Sequence, residues 1–257
     1  MSWFSDWRRN RILRHHLVPF AAFRTAVERL PILRGLTSDE LAQLREAASL
    51  FIHDKTFSAA GGAEVDAAMQ LNIAVQACLL TLKLDEDSYR GWNEIILYPD
   101  EFLRPRVEMD EAGVVHHTRD ILAGESWHGG PLVLSLADVE ASGRADGFNV
   151  VLHEFAHKLD MLNGDANGFP PLHRGMDSAS WARDFSAAYA DLSARVDAGK
   201  DTAIDPYATA NPAEFFAVLS EVFFETPHVL DTEYPAIYRQ LQQFYRQHPL
   251  RRSESPA

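Results

Sequence analysis

Residues 150–159, VVLHEFAHKL, decide the fold of this chain. Within them His153 and His157 stand four residues apart, so on a helix both imidazoles project from one face and can share a tetrahedral metal ion. Glu154 is rotated by about 100° from His153, one step of a 3.6-residue helix, and can reach a water on the metal without being a ligand. Two histidine ligands with a general base beside them meet the requirements of a zinc peptidase site.

The apolar residues around the two histidines predict a buried helix from about residue 147 to 162. Asp146 or a neighbour can cap its start, and Asn163-Gly164 supplies a stop signal. Two imidazoles and a carboxylate on a buried helix are costly without partners. The pattern therefore favours a metal site over its alternative, a pair of core histidines with ordinary polar partners.

A catalytic zinc ion usually takes three protein ligands and leaves one place for water. The extended metzincin pattern places a glycine three residues past the second histidine and the third ligand six residues past it. Asp160 and Asn163 occupy those positions here, which disfavours the metzincin class. We interpret Asp160 as a carboxylate that either helps to pack the helix or hydrogen-bonds to a metal ligand. Other conceivable ligands, each more typical of a surface or loop histidine, are His116, His117, His128 and His173.

A better candidate for the third ligand lies on a later helix. Residues 211–224, NPAEFFAVLSEVFF, are apolar nearly all round, with Asn211 as a good cap and Pro212 suited to the first helical position. Buried there, Glu214 and Glu221 each need a partner. Glu214 can be the ligand or can fold back on Asn211 as a capping-box partner. Glu221 can be the ligand, a carboxylate that supports a ligand, or a carboxylate on the surface of the helix.

The rest of the chain predicts an α+β fold. Helical spacing and short β-rich runs mark the other elements: helices at residues 38–50, 63–84 and 234–247, and strands at residues 95–98, 114–117 and 132–136. We expect a small mixed sheet packed on the metal-binding helix, with further helices around it. Since we see no long linker, we predict one domain over residues 1–257, with a basic helical N-terminal segment (about 1–50) and a polar C-terminal tail (about 250–257).

The chain has 257 residues and a formal net charge of −13. This charge argues against direct nucleic-acid binding, because a duplex-binding protein needs a cationic surface to displace counterions from phosphates. No stretch reaches the 18 apolar residues of a membrane span, and the single cysteine, Cys78, cannot form an intramolecular disulfide, so we expect a cytoplasmic protein. The first 34 residues carry seven arginines against two acidic residues. They predict a solvated face or a docking surface for an acidic partner or a lipid headgroup.

Two stretches together resemble a known family of bacterial zinc peptidases, the Mlc titration factor A (MtfA) family. The first is residues 153–165, HEFAHKLDMLNGD, and the second is Tyr207-Ala208 followed by residues 211–221, NPAEFFAVLSE. The resemblance extends upstream to residues 130–135, GPLVLS, and covers most of the chain. This combination is far more specific than the five-residue metal motif.

The resemblance implies a zincin-like fold of the gluzincin kind, related to the catalytic domain of anthrax lethal factor. It implies a Zn²⁺ ion on His153, His157 and Glu214, with Glu154 as the base and Tyr207 at the active site, and so favours Glu214 over the second carboxylate of its helix. It also implies a cytoplasmic protein with aminopeptidase-type activity, in a family named for binding the glucose-responsive repressor Mlc. The implied partners are thus a peptide substrate and a transcriptional repressor of the Mlc type.

We therefore predict a zinc-dependent peptidase of aminopeptidase type that hydrolyses peptide bonds through a metal-activated water. Glu154 takes the proton of that water, and Tyr207 helps to stabilise the oxyanion. By analogy with zincins, the substrate pairs with the free edge of the strand at residues 132–136. Two alternatives stay open: a non-catalytic protein that sequesters a regulator around a structural zinc ion, and a metal-dependent hydrolase of non-peptide bonds. Glu154 argues against the first, because a structural site does not need it.

Overall fold

Helices form most of the chain, and a small sheet packs among them. The computed structural model describes residues 3–62, 64–84, 86–99, 108–109, 115–116 and 130–253. Its helices are α1 (Trp3–His16), α2 (Phe20–Arg29), α3 (Ser38–Asp54), α4 (Ala67–Thr81), α5 (Leu136–Ala141), α6 (Val150–Asp160), α7 (Ser178–Asp197), α8 (Pro212–Glu225), α9 (Pro227–Glu233), α10 (Pro235–Tyr245) and α11 (Pro249–Ser253). Its strands are β1 (Thr56–Ala59), β2 (Glu94–Tyr98), β3 (Glu108–Met109), β4 (Val115–His116) and β5 (Leu132–Ser135). This is the α+β composition that the sequence predicts.

The main sheet has the strand order β1-β2-β5, and its described strands are parallel. We expected a mixed sheet. The connection from β1 to β2 contains α4, and the connection from β2 to β5 comprises residues 99–131. Connections of this length allow the next strand to run parallel to the previous one, whereas a short hairpin would make it antiparallel. The antiparallel pair β3–β4 stands apart from this sheet. Ile95 and Leu97 of the central strand are fully buried, and with Leu132 and Leu134 of β5 they form the sheet's contribution to the core.

Local signals place the ends of the first long helices. Thr37 caps α3 in a capping box, since its side chain accepts the N–H of Glu40 while the Glu40 carboxylate accepts the N–H of Thr37. Asp66 caps α4 by accepting the N–H of Met69. The helix predicted from residue 63 to 84 is shorter at both ends. It starts later because Asp66, the residue that caps it, lies three residues inside the predicted start.

The metal-motif helix, α6, also starts later than predicted. Asn149 caps it by accepting the N–H of Leu152, whereas the carboxylate of Asp146 accepts the N–H of Phe148 in the preceding turn. On the far side of α6 from the histidines, Phe155 packs in a fully buried aromatic cluster. Its ring centroid lies 5.6 Å from that of Phe51, 5.1 Å from that of Tyr89 and 5.8 Å from that of Trp92. Such packing holds the helix rigidly behind the site.

The C-terminal helix α10 packs on the fold, close to its predicted range of residues 234–247. The Tyr245 hydroxyl donates to Ser220 Oγ of α8 at 2.8 Å, and Gln247 Nε2 donates to the carbonyl oxygen of Leu79 at 2.6 Å. Cys78 is buried, as its apolar surroundings predict. Within the described part of the chain, no helix combines the length and the apolar character needed to cross a bilayer.

Candidate metal centre

Three side chains that are distant in the sequence converge in the structure. His153 Nε2 lies 3.2 Å from His157 Nε2 and 2.9 Å from Glu214 Oε2, and His157 Nε2 lies 3.4 Å from the same oxygen. Among the described residues, this is the one group of three or more His, Cys, Asp and Glu side chains that could hold a metal ion together. Both histidines are buried and Glu214 is half-buried.

Two helices supply these side chains. His153 and His157 come from successive turns of α6, with their rings edge to face and their centroids 4.8 Å apart. Glu214 lies in the first turn of α8, where the Asn211 side chain accepts its N–H and that of Ala213. The cap thus binds the backbone of Glu214, while one oxygen of its carboxylate faces the two histidines.

The spacing of the three ligand atoms fits a zinc ion. Tetrahedral zinc with bonds of about 2.0–2.1 Å holds its ligand atoms about 3.3 Å apart. The three separations here are 2.9, 3.2 and 3.4 Å. Two imidazoles and a carboxylate are also a donor set of catalytic zinc sites that keep a fourth position for water.

The electrostatics of the three groups favour a cation between them. Burial alone would lower the pKa of His153, but its contacts with Glu214 and Glu221 outweigh burial and raise the pKa to about 10. Burial would likewise raise the pKa of Glu214, but its contacts with His153 and His157 hold that pKa far below its ordinary value. Both shifts express a demand for positive charge beside buried carboxylates. A divalent cation meets that demand in place of a proton.

Glu221 approaches the first histidine from the other ring nitrogen. Its Oε1 lies 2.7 Å from His153 Nδ1, and its Oε2 accepts the N–H of Asn149 at 2.6 Å. Glu214 and Glu221 are seven residues apart, two turns of α8, so both project from the same face of that helix. By accepting the Nδ1 proton, Glu221 selects the tautomer of His153 whose Nε2 lone pair points at the metal position.

Asn149 joins three helices through its side chain. Its Nδ2 donates to Gln76 Oε1 of α4 at 2.6 Å and to Glu225 Oε1 of α8 at 2.7 Å, while its Oδ1 caps α6. Asn149, Gln76, Glu221 and Glu225 are all buried. Together they form a buried polar network that fixes α6 between α4 and α8. Sequence reasoning missed it because its partners lie more than seventy residues apart in the chain.

The two predicted catalytic residues are each related to His153, Glu154 as its neighbour in the chain and Tyr207 through the position of its ring. Glu154 is half-buried on an otherwise buried stretch of α6. Tyr207 lies in the short 3-10 turn Pro206–Thr209, which packs against α8. The ring centroid of Tyr207 lies 6.2 Å from that of His153, and the Asp205 side chain accepts the Tyr207 N–H at 2.9 Å.

Asp160 connects the end of α6 to the start of α8. Its Oδ2 accepts the N–H groups of Asn167 and Gly168, each at 2.7 Å. Gly168 has φ +77°, and a Cβ there would lie 2.4 Å from the carbonyl oxygen of Pro212, two residues before Glu214. Asp160 is therefore a carboxylate that supports the site through the loop, as the sequence analysis interprets it.

Of the other histidines considered from the sequence, His173 is the one whose side chain the structure describes, and it does not join the group. His173 Nε2 lies 2.6 Å from the carbonyl oxygen of Phe244, and its ring stacks on that residue. His117 and His128 lie outside the described residues, and His116 is described only as a backbone position of β4.

Known proteins are similar to this chain over most of its length. The model of a family described as glucose-regulated metallo-peptidase M90 matches residues 4–246. A protein named Mlc titration factor A from Salmonella gallinarum (strain 287/91 / NCTC 13346) is 40% identical over 228 residues, which cover 87% of this chain and 85% of that protein. The protein of that name from Salmonella arizonae is 40% identical over 228 residues (87% and 90%), and that from Escherichia fergusonii is 39% identical over 225 residues (87% and 85%). The matched span includes both ligand-bearing helices.

Proposed function

This chain belongs to the M90 metallo-peptidase family, the family of Mlc titration factor A, and on that premise we propose that it is a zinc-dependent peptidase of aminopeptidase type. The observation that carries the proposal is the convergence of His153 Nε2, His157 Nε2 and Glu214 Oε2 at the spacing of zinc ligands. These three residues are the proposed metal ligands. Glu154 and Tyr207 are the proposed catalytic residues.

A zinc ion at these ligands would supply a water of lowered pKa, near about 7, and would polarise the substrate carbonyl. Glu154, next to the first ligand, accepts the proton of the attacking water and delivers it to the leaving amine. The Tyr207 hydroxyl donates a hydrogen bond to the carbonyl oxygen as it gains negative charge. Glu221 holds the His153 ring in place throughout.

The sheet offers a place for an extended peptide. Among the described strands, β5 lies at one edge of the main sheet, and it contacts α6. Lys158, directly after the second histidine, donates from Nζ to the carbonyl oxygen of Gly130 at 3.0 Å and so anchors the approach to β5. A substrate that pairs with this edge as an added strand would run alongside the metal helix.

The proposal extends to the organisation of the protein and its partners. The helices that pack around the metal centre support a single zincin-like domain over residues 1–257. This domain includes the basic N-terminal segment and the polar C-terminal tail, and residues 254–257 of the tail lie outside the described part of the chain. The lone cysteine supports a cytoplasmic location. The name of the relatives supports a transcriptional repressor of the Mlc type as a partner.

The decisive experiment compares the zinc-loaded wild type with Glu154→Gln on a pair of matched substrates, an amino-acid anilide with a free amino group and its N-acetylated form. We expect the wild type to cleave the free form in preference. The variant should keep about one zinc ion per chain but lose about 10²–10⁴-fold in kcat, because the proton acceptor is gone. Full turnover by the variant would remove the mechanism, and equal cleavage of both substrates would remove the aminopeptidase assignment.

A further inference from the structure

A groove of basic and aromatic side chains lies between α1 and the end of α3. Its cavity has a volume of about 410 Å³, and its walls carry Trp7, Arg8, Arg11, His15 and His16 from α1 and His53 from α3. None of these residues belongs to the metal centre. Apart from Arg8 and His53, which hold Asp54, these side chains form no ion pair with a described residue.

Two side chains of the groove contact a carboxylate of the chain itself. Asp54 Oδ1 accepts from Arg8 Nη2 at 2.6 Å and lies 2.9 Å from His53 Nδ1. Burial alone would raise the pKa of Asp54, but its contacts with His53 and Arg8 lower that pKa below its ordinary value. Arg8 and His53 thus show how this surface binds a carboxylate, and Arg11, His15 and His16 offer donors of the same kind to a carboxylate from outside.

We propose that this groove is a docking site for an acidic segment of a partner protein. Charge complementarity supports this occupant, because the first 34 residues carry seven arginines and two acidic residues in a chain whose net charge is −13. The groove also has the composition of a protein interface. The Arg11 guanidinium lies 5.4 Å from the ring centroid of Trp7, and Trp7 is 53% exposed. Tryptophan and arginine are the residues that dominate binding energy at such surfaces.

A second observation points to a protein partner. Four large apolar side chains are exposed among the described residues, and three of them, Trp7, Leu17 and Phe20, lie within the first twenty residues. Exposed apolar side chains concentrated beside unpaired cations are typical of a surface that another protein covers.

The geometry disfavours the two other classes of anionic partner. The apolar and charged residues of α1 are spread around the helix instead of being gathered on separate faces, so α1 lacks the apolar face with which a surface helix inserts into a lipid bilayer. A duplex or a membrane would also bring the acidic remainder of the chain close to an extended polyanion, which repels it. A short acidic segment avoids that repulsion because it spans only the groove.

The test is a fluorescence anisotropy titration of the full zinc-loaded chain with a short labelled peptide of Glu, Asp and Leu. A matched peptide with Gln and Asn in place of the acids controls for charge. Arg11→Glu reverses a charge inside the groove, and Arg29→Glu makes the same change at an exposed position of α2 that does not line it. Trp7→Ala tests the aromatic wall without a charge change, and circular dichroism verifies that each variant is folded.

We expect the acidic peptide to bind more tightly than its amide control. Arg11→Glu and Trp7→Ala should each weaken binding roughly tenfold, the effect of one lost charge-assisted or aromatic anchor, while Arg29→Glu changes it much less. Equal losses in Arg11→Glu and Arg29→Glu would overturn the proposal, since only long-range charge would then be at work. Failure to bind the acidic peptide, or tighter binding of phosphatidylglycerol vesicles or a DNA duplex, would overturn it as well.

Discussion

His153 uses both nitrogens of its ring, and each faces a carboxylate of α8. Nε2 lies 2.9 Å from Glu214 Oε2, and Nδ1 lies 2.7 Å from Glu221 Oε1. The two acids have different tasks in the proposed site. Glu214 shares the metal position with the second histidine, whereas Glu221 faces away from it and controls which nitrogen of His153 carries the proton.

Replacing Glu221 by glutamine should weaken zinc binding while leaving the three ligands in place. An amide oxygen is a poorer acceptor for the Nδ1 proton than a carboxylate, so the imidazole becomes a weaker ligand. We expect a loss of about 10–100-fold in zinc affinity, the usual effect of removing such a partner, measured by competition with a chromophoric chelator.

Glu225→Gln is the control for this change, because Glu225 lies one turn further along α8 and contacts Asn149 instead of a ligand. An amide oxygen can still accept that hydrogen bond, so zinc affinity should stay near that of the wild type. If Glu221→Gln binds zinc as tightly as the wild type, Glu221 does not orient the ligand.

At the residue scale, the residue pattern predicted the ligand types but could not separate Glu214 from Glu221, and only the family resemblance favoured Glu214. Both stand on the same face of one helix, two turns apart, and both are acids that need partners. The spacing in the sequence is therefore compatible with either carboxylate as the third metal ligand. The distances to the two nitrogens of His153 separate their positions, and those distances depend on how α6 crosses α8, which no local pattern encodes.

At the scale of elements, the site depends on where α8 begins relative to α6. Asp160 at the end of α6 holds Gly168 through the backbone, and Gly168 lies directly against the carbonyl oxygen of Pro212. Pro212 is the first residue of α8, and Glu214 lies in the same turn. A displacement of this contact therefore moves the third ligand.

Gly168→Ala should destabilise the protein and weaken zinc binding together. The backbone has φ +77° at this position, which costs an alanine about 1–2 kcal/mol, and the new Cβ would meet backbone rather than a flexible side chain. Urea unfolding and the chelator competition measure the two effects. Gly199→Ala is the matched control, because Gly199 has φ +66° with nothing within 4 Å of an added Cβ. It should lose stability but keep zinc affinity, and equal zinc affinity in both variants would contradict the linkage.

The helix with both a capping residue and a first-turn proline was predicted closely, and the other elements were less predictable. Residues 211–224 carry a cap and a first-turn proline, and α8 forms there at Pro212–Glu225. β1 was missed because residues 56–59, TFSA, are short and only half-buried. The cap of α6 is Asn149, three residues after Asp146. The local sequence does not indicate this cap, because the hydrogen bonds that hold the Asn149 side chain come from distant helices of the buried network.

At the scale of the whole molecule, the buried network makes stability depend on pH. Burial raises the pKa of Glu225 from its ordinary 4.5 to about 7. The folded chain then binds this proton more tightly than the unfolded chain, so the contribution of Glu225 to stability falls as pH rises from about 4.5 to about 7 and stays low above that. The change is on the order of 3 kcal/mol.

Glu225→Gln removes this titration but keeps an oxygen that can accept from Asn149. In urea unfolding the variant should match the wild type near pH 5 and exceed it in free energy of unfolding near pH 7.5. Loss of zinc at low pH affects both proteins equally, so the difference between them isolates Glu225. Two parallel stability curves across this range would mean that the carboxyl is ionised throughout.

Metal removal should lower the melting temperature without unfolding the chain. A zinc ion on the proposed ligands would join α6 to α8 in the folded state alone, so at a thousandfold excess over its Kd it would stabilise that state by about 4 kcal/mol, or roughly 10 °C in Tm for a domain of this size. The aromatic core around Phe155 contains no ligand and keeps the fold without the ion. Scanning fluorimetry with and without a chelator measures the shift in Tm. The Glu214→Ala variant should melt at a lower temperature than the wild type, and the chelator should change its Tm much less than that of the wild type. A wild-type Tm that stays constant after proven loss of zinc would show that the ion does not join these helices.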